Sequence, residues 1–117
     1  MNNIYGVSFK TNGKTYLFSG EPTYEVGSNV IVETEKGYQF GKIVQINGQV
    51  DINQQIKKII RVATDKDYKQ YLDNLSAAER SLKKSKEIAE ELNLDMRFID
   101  ASFTFDRKQL LFNFIRI

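Results

Sequence analysis

Three aspartates near the C-terminus, Asp95, Asp100 and Asp106, are the residues of this chain best suited to acid–base or metal chemistry. Paired carboxylates can share a proton or hold a cation. Asp95 follows the end of a helical pattern and Asp106 sits in a turn, places that suit aspartate for backbone reasons alone. Asp100 stands inside an alternating strand pattern and has no such reason. The 117 residues contain no Cys and no His. Disulfides, thiolate chemistry and the commonest zinc sites are thereby excluded, as is the usual general base at neutral pH. An enzyme built from this chain would have to rely on carboxylates, Lys or Tyr, with Asp100 and a nearby Lys as the candidate pair. Gly27, Gly37 and Gly41 do not form a phosphate loop, because no helix opening on Lys-Ser/Thr follows them. The expectation is a protein with no catalytic residues and no bound metal.

A second constellation could bind rather than react. Lys36, Tyr38, Phe40 and Lys42 interleave positive charge with aromatic rings around one hairpin. On a small barrel such a pattern stacks bases and meets phosphates, which makes these four the candidate RNA or DNA contacts. A strand with its aromatics in the core and its lysines in water gives the same spacing. The Lys57, Lys58 and Arg61 group has the same two readings, a basic patch or a solvated face. Net charge is +2, from 17 basic and 15 acidic residues, too balanced to predict a polyanionic partner by itself. Hydrophobic residues make up 41% and charged residues 27%, a balance that supports a globular core. No apolar run approaches the roughly 18–20 residues of a membrane span. The N-terminal Met1 to Gly6 has no basic segment leading into an apolar one. A cytoplasmic location is the expectation.

The elements that hold these residues fall into two kinds. From residue 4 to 63 the chain reads as short strands punctuated by glycine turns. Strands at 4–10 and 14–19 flank Asn12-Gly13, the strongest short hairpin signal. Val30 to Thr34 is apolar on both faces and so suits a central strand. Lys36-Gly37 predicts a turn, 38–46 a strand with Gly41 at a bulge or corner, Asn47-Gly48 another turn, and 56–63 a last strand. This spacing predicts a small curled antiparallel sheet or barrel-like unit. The next segment contains no Gly or Pro from Thr64 to Asn93 and repeats Tyr68, Tyr71, Leu75, Ala78, Leu82, Ser85, Ala89 and Leu92 at spacings of three and four. It predicts one helix over 65–92, about 40 Å long, opened by Thr64 and Asp67 as a capping box. Tyr68, Tyr71, Leu75, Leu82 and Leu92 are the candidate packing or partner-binding residues. The small Ala78 and Ser85 suit a coiled-coil seam poorly. The expectation is that the N-terminal half of the helix packs on its own domain, while the C-terminal half projects or meets another chain. A hairpin follows, with alternating Met96, Phe98, Ala101, Phe103 and Phe105, a turn at 106–109, and a strand from Leu110 to the end.

The fold class predicted is α+β, organised as a β-rich barrel-like part (1–64) and a helix-plus-hairpin part (65–117). The last strand runs into the chain end, so this second part looks cut short.

Taken together, several stretches resemble the RicT (YaaT) proteins of Gram-positive bacteria, a family named for a yeast polymerase-suppressor C-terminal domain. They are Gly6 to Lys10 with Gly13 to Tyr16, Val30 to Thr34 with Gly37 and Gly41 to Val44, Ile60 to Thr64 with Asp67, Leu94 to Met96, Ile99-Asp100 and Phe105-Asp106. The resemblance spans nearly the whole chain. It departs at Gln109, where the family pattern Asp-x-x-Lys-Leu has lysine, and the family continues well beyond this point into a cysteine-containing segment. The resemblance implies an N-terminal part of a non-enzymatic regulatory adaptor. Its partners would be the small helical proteins RicA and RicF, with RNase Y and RNA further along the same pathway. It implies roles in mRNA processing and in the phosphorelay controlling sporulation, competence and biofilm formation. The family complex is associated with iron–sulfur clusters, but no cofactor is expected in this chain.

Overall fold

The computed structural model describes residues 3–9, 14–48 and 56–116. Five strands, β1 (Asn3–Ser8), β2 (Thr15–Gly20), β3 (Asn29–Thr34), β4 (Gly37–Gly48) and β5 (Ile59–Val62), are followed by α1 (Asp65–Glu91) and by β6 (Met96–Phe103) and β7 (Leu110–Arg116). The first five form one sheet in the order β2-β1-β4-β3-β5, and β6 pairs with β7 in a second. All pairings of these strands are antiparallel. The α+β class and the curled sheet are therefore as expected. The curl brings the two edge strands together, since Ser19 N–H donates to the Lys57 carbonyl at 2.9 Å. That contact is a single bridge, so the barrel meets at its seam without zipping.

Inside the curl lie Tyr5, Val7, Phe18, Val30, Val32, Ile43 and Ile59. The Tyr5 ring is fully buried while its hydroxyl donates to the Glu21 carbonyl at 2.5 Å, so the core gains a large ring without an unpaired polar atom. β3 is an interior strand, as its two apolar faces required, with β4 on one side and β5 on the other. Val30 and Val32 point into the curl, and Ile31, only 3% exposed, lies in register between Phe40 and Arg61. Gly41 leaves no room for a side chain: a Cβ there would sit 2.5 Å from Val7 Cγ1. The bulges themselves fall further along β4, where the pairing with β1 skips between Ile43 and Gln45 and again between Ile46 and Gly48.

Two sequence expectations are corrected. Asn47-Gly48 does not turn the chain, because Gly48 still pairs with Ile4 and extends β4. The last strand of this half is shorter than 56–63: β5 covers residues 59–62, flanked by hydrogen bonds from Glu33 N–H to the Lys58 carbonyl and from Ala63 N–H to the Asn29 carbonyl. The Asn12-Gly13 turn lies outside the described residues. Gly37 does turn the chain, at φ 126°, a conformation costly for any residue with a Cβ.

The capping box forms as read. Thr64 Oγ1 accepts from Asp67 N–H at 3.2 Å, and the Asp67 carboxylate accepts from Thr64 N–H at 2.8 Å. At the other end Leu94 N–H donates to the Ala89 carbonyl at 3.0 Å and Asn93 N–H to Glu90 at 3.2 Å, with Asn93 at φ 52°. This is a Schellman motif with asparagine at the left-handed position. Between these caps α1 packs along β6, and its C-terminal half does not project: Ala89 is 6% exposed, beside Met96 and Phe98. Ala78, read with Ser85 as too small for a coiled-coil seam, is buried at 2% exposed. In β6 the pairing passes from Phe98–Phe114 to Asp100–Asn113 with Ile99 extra. That bulge explains why the apolar alternation skips from Phe98 to Ala101.

Candidate partner-docking surface

Three elements converge where the hairpin tip meets the first half of α1. Phe105 N–H donates to the Tyr38 carbonyl of β4 at 2.7 Å, which ties the tip to the five-stranded sheet. The Phe105 carbonyl accepts from Gln70 Nε2 at 2.6 Å and from Asn74 Nδ2 at 3.1 Å, which ties it to the helix. Asn74 is 5% exposed and its side-chain oxygen accepts from Arg107 Nε at 2.8 Å. Arg107 adopts φ 60° in the turn and also donates to the Asp73 carbonyl at 3.1 Å. Thr104, fully buried, donates to Asp106 Oδ1 at 2.7 Å and accepts from Gln109 N–H at 3.2 Å. The Thr104 hydroxyl and the Lys108 N–H hold the Asp106 carboxyl below its ordinary range.

A second tie lies one helix turn earlier. The Arg61 guanidinium of β5 makes two contacts to the Asp67 carboxylate, one of them from Nη2 to Oδ1 at 3.1 Å. Arg61 is the main reason the Asp67 carboxyl is held far below the usual carboxylate range, with the Thr64 N–H adding to it and burial opposing it. Between these ties the rings of Phe40 and Tyr71 stack, with Tyr68 beside them.

A cleft of about 770 Å³ opens between the curled sheet, α1 and the hairpin, lined among others by Tyr16, Lys36, Phe40, Leu75, Asp100 and Leu111. Asp100 is explained there as a cross-strand partner, accepting from Asn113 Nδ2 at 2.7 Å. No group of three or more Asp, Glu, Cys or His converges among the described residues.

The candidate residues separate by position. Tyr68, Tyr71 and Leu75 come together with Phe40, so one member of the proposed nucleic-acid set is covered by one member of the partner-binding set. Leu82 is half-buried further along α1, and Leu92, at 64% exposed, marks its C-cap. Lys36 and Lys42 are exposed and Tyr38 is half-exposed. The residues that sequence reasoning passed over are Gln70, Asn74, Thr104 and Arg107. Asn74 lies beside the repeating apolar stripe rather than in it, and no local signal marked these four residues.

Residues 57–116, just over half of the chain, match the PSP1 C-terminal conserved region. The chain is also 38% identical over 118 residues to the Stage 0 sporulation protein YaaT of Bacillus subtilis (strain 168), an alignment covering 97% of this chain and 43% of that protein. The chain belongs to the family defined by the PSP1 C-terminal conserved region. It spans less than half the length of this curated relative. No solved structure matches it. The PSP1 region takes in both polar ties, Arg61–Asp67 and Asn74 with the hairpin tip, whereas Phe40 lies outside it. Among the described residues no helix is long and apolar enough to cross a membrane.

Proposed function

We propose that this protein is a non-enzymatic regulatory adaptor of the cytoplasm, acting as the RicT-like subunit of a complex with small helical partners resembling RicA and RicF. The observation that carries this reading is the state of α1. Its inward face rests on β6, yet Tyr68, Leu72, Ile88 and Leu92 remain between 42% and 64% exposed on its flanks. Tyr68 with Leu72 and Ile88 with Leu92 are each spaced i, i+4, and the two pairs fall on opposite flanks of α1, so each offers a separate short contact for a partner helix. The relative's name, Stage 0 sporulation protein, supports a regulatory role. In this reading the complex adjusts RNase Y-dependent mRNA processing and the phosphorelay behind sporulation, competence and biofilm formation. The iron–sulfur chemistry associated with the family finds no ligands here, because the chain has neither Cys nor His and its described carboxylates do not converge.

A second reading, an RNA- or DNA-binding barrel, is supported by the exposure of Lys36, Tyr38 and Lys42 along one hairpin. The two readings separate in one pull-down of the chain with RicA-like and RicF-like proteins and with total RNA, at low and high salt. Docking on an apolar helix flank survives high salt, whereas phosphate contacts are lost as counterions compete. Capture of RNA alone, released by salt, overturns the adaptor reading.

A further inference from the structure

We draw no further inference here: the strongest candidate, the cleft of about 770 Å³ between the curled sheet, α1 and the hairpin, carries nothing because its mixed lining of aromatic rings with Glu33, Lys36, Lys57 and Asp100 selects no single occupant and nothing in the structure shows what covers it.

Discussion

The rings of Phe40 in β4 and Tyr71 in α1 stack 4.2 Å apart and 14° from parallel. Each was singled out for a different reason, one as a base-stacking aromatic and one as a helix-docking residue, and the fold uses them on each other. With Arg61–Asp67 and the Tyr38–Phe105 hydrogen bond, this stack joins the curled sheet to the helix and hairpin.

Removing one ring should loosen that joint. Tyr71→Ala is expected to lower stability by about 2 kcal/mol, from lost packing and partial burial. In a double-mutant cycle with Phe40→Ala, the coupling should be about 1 kcal/mol, the usual worth of an aromatic pair beyond its area. Urea denaturation of the four proteins measures both.

Asn74→Ala should cost about 2 kcal/mol, because it removes a buried donor to the Phe105 carbonyl and the acceptor for Arg107. Asn74→Asp keeps the acceptor but loses the donor, so it should recover only part of that stability. Amide exchange at the hairpin tip should quicken in both variants.

Acid should weaken the joint. The Asp67 carboxyl is depressed by Arg61 in the folded protein, from an ordinary value of 3.8. A depressed folded pKa contributes stability that is fully present above the unfolded value and is lost as pH falls through the folded one. Lowering the pH from about 5 to about 2.5 should therefore destabilise the unaltered chain more steeply than Asp67→Asn. Asp106 remains in both proteins, so the difference in slope reports Asp67. Chemical denaturation across that range tests the sign.

Gly41→Ala should destabilise by about 1–3 kcal/mol through overpacking, since the new Cβ meets Val7 at 2.5 Å and Phe9 at 3.0 Å. Pairing it with Val7→Ala should recover part of the loss, which thermal melts of the single and double variants would show.

Local signals were legible where the chemistry is local. Asn29–Thr34 carries its interior position in the run Val30-Ile31-Val32, and Thr64 with Asp67 carries the start of α1. The bulge at Ile99 was not read from the sequence, although the alternation skips from Phe98 to Ala101 there. Asn74 was not legible as a junction, because its partners lie some thirty residues away in the hairpin tip. The burial of Ala78 was hidden for a related reason: a small residue reads as weak docking until what packs on it is known. At Asn47-Gly48 strand pairing overrode a good turn sequence.

The central claim is that the exposed flanks of α1 carry the partner interface. The direct measurement is titration of RicA-like and RicF-like proteins against the unaltered chain and against Leu72→Lys and Leu92→Lys, both at exposed positions. Affinity lower by roughly tenfold or more in at least one variant, with unchanged melting temperature, is the result this account predicts. Equal affinity in all three proteins, or no binding by the unaltered chain, would contradict it.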